Sequence, residues 1–344
     1  MTADRVRGHV NVALFVPHAG CPHRCSFCNQ QAIAGRTQPL TPQAVVSACE
    51  RAIATMRVPP ERAEIAFFGG SFTAMEPAYM RGLLEAAGPY VRDGRFSGIR
   101  VSTRPDAVDE AMVALLRGYG VTAVELGAQS MDDAVLETNG RGHRAADVES
   151  ASRLIRAGGL SLGLQMMTGL PGDTDAGAWE TARRLAVLRP DTVRIYPTVV
   201  MRGTMLERWY RADQYQPQTL EEASALCAGL LRYFEREQGI PVIRLGLHAG
   251  ADMQAGLVAG PWHPAFRELC EGQLYLRLAA KLLRRDIPGG GRVRVTVRPD
   301  AISKMTGQRR CNLEALAREG YDARVCGDAS LSQWDITVMA DSNR

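Results

Sequence analysis

The sequence predicts a parallel α/β protein, on three observations. Short runs rich in Val, Ile, Leu and Phe alternate with helix-like segments six times through residue 200. Those runs are not polar at alternate positions, as expected of strands covered on both faces. The polar and glycine residues collect just after the strands, where parallel α/β folds build their sites. A barrel and a doubly wound open sheet share this pattern, and periodicity alone does not choose between them.

Taken in order, residues 12–16 form a first strand, followed by a loop with Cys21, Cys25 and Cys28. Thr41 and Pro42 read as N-cap and first helical residue of a helix to about Met56. The next strands are 64–68, 98–103, 121–127, 160–166 and 191–196, with helices at 76–87, 108–118, 145–157 and 176–188 between them. After residue 200 the pattern changes. Thr219 caps a helix to Gln238, 242–247 is strand-like, and 249–264 is a Gly/Pro-rich loop. Helix 265–285, the break at Pro288 and Gly289, a half-exposed strand 292–298, helix 309–319 and strands 321–326 and 334–339 make a small α+β unit. The expected division is residues 1–215 and 216–344.

Composition excludes several classes. The chain has 344 residues, ordinary apolar content and a net charge of +4, too small to argue a nucleic-acid partner by itself. Ten basic residues lie between Arg277 and Arg310, against Asp286 and Asp300. They are either a phosphate-binding surface or a solvated face. No run reaches the ~18–20 apolar residues of a membrane helix. The apolar run before Cys21 is too short for a signal-peptide core. Five of the eight cysteines are scattered singly, which is no disulfide framework, and a reducing, cytoplasmic setting is expected.

Cys21, Cys25 and Cys28 stand in the spacing C-x3-C-x2-C. Thiolates this close on a loop point to a soft metal centre. Three compact cysteines leave one iron of a [4Fe–4S] cluster open, which suggests ligation of substrate or cofactor. A zinc site completed by His18 or His23 is the alternative, and with it a non-enzymatic metal-binding role.

This spacing, with aromatic Phe27 before the last cysteine, resembles the motif of the radical S-adenosylmethionine (SAM) superfamily. The resemblance implies a partial (β/α)6 TIM-like barrel followed by the small C-terminal α+β domain. It implies that Cys21, Cys25 and Cys28 hold three irons and that SAM chelates the fourth. SAM is then cleaved reductively to a 5′-deoxyadenosyl radical that abstracts hydrogen from substrate. An external electron donor such as flavodoxin or ferredoxin is implied as a partner. Phe27 would pack beside the adenine. Gly69, Gly70 and Ser71 stand where the superfamily has a Gly-Gly-Glu-like turn, with Ser71 replacing the glutamate. Arg104 either pairs with the SAM carboxylate or caps a helix. Gln129 and Gln165 are polar residues at apolar strand ends and are expected to line the site. Tyr196 is expected at the mouth, and His248 in the Gly/Pro-rich segment that could cover it. Gln129, Tyr196 and His248 are the candidates for catalysis.

A closer resemblance covers about residues 10–215. Phe68-Gly69-Gly70-Ser71-Phe72-Thr73, Thr103-Arg104-Pro105-Asp106, Glu125-Leu126-Gly127-Ala128-Gln129-Ser130, Arg141-Gly142-His143 and Arg194-Ile195-Tyr196-Pro197-Thr198 resemble the radical SAM half of the Elongator catalytic subunit. The cysteine spacing differs from that subunit, and nothing after residue 215 resembles its acetyltransferase domain. Shorter bacterial members of the group match better, and a weaker similarity runs to oxygen-independent coproporphyrinogen oxidase. The implied substrate is tRNA or another anionic molecule. A small metabolite or a peptide is the alternative.

Overall fold

The computed structural model describes residues 10–16, 20–21, 25–29, 38–247 and 251–341. Seven parallel strands form one curled half-barrel sheet. They are β1 (Val10–Phe15), β2 (Ala63–Phe68), β3 (Gly98–Thr103), β4 (Val121–Gln129), β5 (Ser161–Thr168), β6 (Thr192–Pro197) and, past the short β7 (Val200–Met201), β8 (Val242–Leu245). The order in the sheet is β1-β2-β3-β4-β5-β6-β8. The six strands read from the sequence are all present. The seventh comes from the segment assigned to the C-terminal extension, so the barrel sheet continues past residue 215.

Helices cover the outer face. Thr41 accepts a hydrogen bond from Ala44 N and starts the helix Pro42–Thr55. Asp109, Thr174 and Thr219 cap Glu110–Gly118, Asp175–Val187 and Leu220–Arg232 in the same way. Ile65, Phe67, Val101, Val124, Leu126, Leu164 and Ile195 point at these helices and are at most 1% exposed. Full burial of each such side chain contributes roughly 1.5–3 kcal/mol.

The inner face corrects the expected strand pattern, because it is polar. Ser102, Glu125 and Gly163 are register partners, as are Gln165, Arg194 and Arg244. Across this face Arg100 bonds Glu64 at 2.8 Å and Glu125 at 3.2 Å, and Arg194 bonds Glu125 at 2.8 Å. A buried charged row thus crosses the floor of the half-barrel. One or two polar residues per strand do not register as alternation until the strands are aligned.

The Gly/Pro-rich segment also holds regular structure. The helix Ala251–Gly256 leads into β9 (Leu257–Ala259), which pairs antiparallel with β7. The long helix Phe266–Asp286 then packs on Leu220–Arg232 and on the small C-terminal sheet. That sheet has the order β11-β10-β12, with β10 (Gly291–Val297) parallel to β11 (Tyr321–Gly327) and antiparallel to β12 (Ile336–Ala340). One continuous apolar core joins the small sheet to the barrel: Val293, Val295 and Leu316 belong to the same cluster as Leu14 and Ile65.

Six of the ten basic residues between Arg277 and Arg310 reach a carboxylate. Arg284 meets Glu319, Arg294 meets Asp341 and Lys304 meets Glu271. Tertiary partners outside the segment thus neutralise much of its charge. Among the described residues no helix is long and apolar enough to cross a membrane.

Candidate functional site

The cysteine loop hangs from the end of β1, yet distant residues hold it. Ser26 N donates to Asn139 O at 3.0 Å. The Ser26 hydroxyl donates to Asn139 Oδ1 at 2.6 Å. Asn139 is fully buried, and its amide nitrogen donates to Val135 O and Pro171 O at 2.8 and 3.0 Å. On the other side Leu206 N donates to Ser26 O at 2.8 Å, and Asn29 Nδ2 donates to Arg202 O at 2.6 Å. Cys28 N closes a turn onto Cys25 O at 3.1 Å. At the start of the loop, Gly20 has φ +69° and lies against the turn after β2. A Cβ there would sit 2.2 Å from Ser71 O and 2.6 Å from Met75 N, so no side chain fits.

None of the eight cysteines forms a disulfide. Arg141 Nη1 donates to Cys25 Sγ at 3.3 Å, and its Nη2 donates to Gly127 O at 2.8 Å. Burial pushes the Cys21 thiol up; neighbouring Cys25 adds to the rise, while Arg141 and Arg104 pull it down. Two thiols and two guanidiniums therefore share one region. Arg141 Nε is buried there without a partner among the described residues. Thiols outside any disulfide and an unspent donor suit an anionic iron–sulfur group with thiolate ligands. Among the described residues no three His, Cys, Asp or Glu side chains are disposed around a single ion. A cubane accepts thiolates at separate corners, so it needs no such convergence. His18, His23 and His248 lie outside the described residues.

The strand ends fit around the loop. Gly69 and Gly70 have φ of +80° and +58°, a pair of left-handed residues that glycine adopts without strain. The Ser71 hydroxyl lies 2.9 Å from Thr103 Oγ1 and accepts from Arg104 N at 3.2 Å, so it ties two strand ends together. Arg104 precedes a turn of 3-10 helix without capping it through its side chain. Its Nε is on Asp106, and its Nη2 donates to Arg141 O at 3.3 Å. Gln129 ends β4 at φ +67° after a bulge, and Gln165 Nε2 donates to its Oε1 at 3.2 Å. That bulge is clamped from the segment following Asn139. Arg141 holds Gly127 O, and His143 Nε2 lies 3.2 Å from Ala128 O. Burial, then Arg141, lowers the His143 pKa to about 4, so the ring is neutral and donates through Nε2. Phe27 and Tyr196 both pack on the cluster of Val135, Met167 and Leu170. Arg194, two residues before Tyr196, lies over the Phe68 ring at 5.0 Å.

The structure thus brings Phe27, Gly69, Gly70, Arg104, Gln129, Gln165 and Tyr196 to the mouth around the cysteines. Sequence reasoning passed over Gly20, Ser26, Asn139 and Arg141 as site residues. A glycine one residue before the first cysteine was a visible signal for the first of these. For Asn139 there was none, since an Asn after a short helix reads as a local cap.

A model of the radical SAM superfamily matches residues 15–185, and one of the Radical_SAM C-terminal domain matches residues 190–276. The tRNA uridine(34) acetyltransferase of Dehalococcoides mccartyi (strain CBDB1) is 30% identical over 247 residues, covering 62% of this chain and 53% of that protein. Protein YhcC of Escherichia coli (strain K12) is 27% identical over 232 residues, covering 63% and 72%. The chain spans about half the length of the first curated relatives it matches. The archaeal Methanocaldococcus infernus Elp3 with an N-terminal deletion superposes with a TM-score of 0.61 at 22% identity, over 80% of this chain and 63% of that one. With two adjoining family matches spanning residues 15–276, the chain belongs to the radical SAM superfamily, enzymes whose cofactors are a [4Fe–4S] cluster and SAM.

Proposed function

We propose that Cys21, Cys25 and Cys28 hold three irons of the cluster, that SAM occupies the strand-end mouth beside them, and that the substrate is a tRNA uridine. The observation that carries the site is the loop itself: three cysteines outside any disulfide, on a loop fastened to residues 139, 141, 202 and 206 of the barrel mouth. When bound, the two cofactors supply reductive cleavage of the sulfonium and a carbon radical that takes hydrogen from substrate.

The chain's own residues bind, orient and exclude water. Gly69 and Gly70 let backbone approach the amino end of SAM. Ser71 contributes through its backbone, because its hydroxyl is held by Thr103 and Arg104 N. Arg104 keeps Asp106 and Arg141 in place and adds positive charge for a carboxylate. Phe27 and Tyr196 offer an apolar wall to the adenine, and the Gln129–Gln165 pair offers amide groups to its polar edge. A one-electron donor such as flavodoxin or ferredoxin acts from outside.

The tRNA reading is supported by the relatives named as tRNA uridine(34) acetyltransferases. Arg277, Lys281, Arg309 and Arg310, the basic residues of the segment that meet no carboxylate among the described residues, are available to phosphates. A second reading, a small anionic metabolite, is favoured by the charged floor, where buried Arg194 Nε has no partner among the described residues.

Anaerobic reconstitution tests the chemistry. Four irons and four sulfides per chain are expected, with dithionite releasing methionine and 5′-deoxyadenosine. A colourless protein holding one zinc refutes it. Titration of tRNA binding against salt tests the substrate: four phosphate contacts give a log–log slope of about −3. Absence of binding at low salt refutes the tRNA reading and leaves the metabolite.

A further inference from the structure

We infer that Arg141 is a positioning residue that sets the reduction potential of the cluster through its hydrogen bond to Cys25. The inference rests on the assignment of Cys25 as a cluster ligand. The guanidinium is fixed at both ends. Nη2 is tied to Gly127 O at 2.8 Å, and Nη1 reaches Cys25 Sγ at 3.3 Å. The Arg141 carbonyl is held in turn by Arg104 Nη2 at 3.3 Å. A fork serving only to clamp the β4 bulge has no need of a sulfur partner, since His143 already holds the next carbonyl, Ala128 O. Nε of the same guanidinium is buried with no partner among the described residues, a donor left over in this region.

The physical effect has a definite sign. Reduction adds one negative charge to a thiolate-ligated cluster. A cation in hydrogen-bond contact with a ligand sulfur stabilises that added charge, more strongly in a partly buried site than in water. Arg141 therefore raises the potential and makes the cluster easier to reduce. Arg104 supports it by holding the Arg141 carbonyl.

Two measurements test this. In wild-type enzyme grown with 15N-guanidinium arginine, pulsed electron paramagnetic resonance of the reduced cluster should show an arginine nitrogen coupling that changes from 14N to 15N. Absence of any arginine coupling overturns the inference. In Arg141→Gln, a redox titration should show a midpoint at least 59 mV lower, a tenfold loss in the one-electron reduction equilibrium. Arg141→Lys, which keeps the charge, should recover part of it. A glutamine variant with full iron content and an unchanged midpoint overturns the inference. If that variant holds no cluster, the labelled wild type decides. A wild type that assembles no cluster refutes the cofactor assignment itself, a separate and recognisable failure.

Discussion

Replacing Asn139 tests how the cysteine loop is held. Asn139→Ala removes three side-chain hydrogen bonds: from Ser26 Oγ at 2.6 Å, to Val135 O at 2.8 Å and to Pro171 O at 3.0 Å. Val135 O keeps the Asn139 backbone N–H at 3.1 Å, so two partners are orphaned, the buried Ser26 hydroxyl and Pro171 O. A buried group left unsatisfied costs about 1–3 kcal/mol. The expected loss is about 3 kcal/mol, a large part of the roughly 5–15 kcal/mol that a folded domain holds. Asn139→Asp should be worse, although it is nearly isosteric. It keeps the acceptor for Ser26 but turns an oxygen toward two carbonyls. Urea unfolding of the apo-protein by linear extrapolation reads the loss, and iron content after reconstitution reads the loop. An alanine variant within about 0.5 kcal/mol of wild type with full iron content would refute the reasoning. So would an aspartate variant milder than alanine, because packing alone predicts that order.

Other predictions follow from the same geometry. Gly20→Ala should abolish cluster assembly while leaving far-ultraviolet circular dichroism intact, because its Cβ meets backbone at 2.2 Å; normal iron content would count against the seating described. Glu125→Gln should cost about 3 kcal/mol, since one carboxylate oxygen serves both Arg100 and Arg194 in a buried row; an unchanged urea midpoint would contradict this. For His143, the folded pKa of about 4 lies below the ordinary 6.5. The unfolded chain therefore binds more protons between those values, and stability is full above pH 6.5 and lost as pH falls toward 4. The full window is worth about 3 kcal/mol. Asp173, pushed up to about 6 by burial, slopes the opposite way below that pH. The test is accordingly the wild-type minus His143→Gln difference in stability, which should shrink from pH 7 to pH 5.

Much of this was legible before any coordinates. Six strands, the helices between them and the gathering of polar residues past the strand ends follow from local composition and capping. The spacing of the three cysteines, too, points by itself to a soft metal centre. The rest depended on partners that sequence does not place. Glu64, Arg100, Glu125 and Arg194 lie on four strands, and only the folded sheet links them into one chain of ion pairs. The basic stretch from Arg277 to Arg310 reads as a charged face until Glu319, Asp341 and Glu271 are brought to it. Strand 242–245 carries no mark of the sheet it joins. Arg141 belonged to a recognisable motif, yet its sulfur partner lies 116 residues away.

The separations at the cysteine loop also fix an order of events during synthesis. Its anchors are 113, 116 and 173 residues downstream, and residue 206 supplies another. Closing loops of that length is slow and carries an entropic cost before the contacts return anything. A nascent chain therefore exposes its thiols while most of the barrel is still unmade. If the loop holds the cluster as proposed, delivery belongs after the segment to residue 206 has left the ribosome, and stalled chains shorter than that should bind no iron, whereas full-length chains should. The cysteine loop is thus made well before the residues that hold it in place.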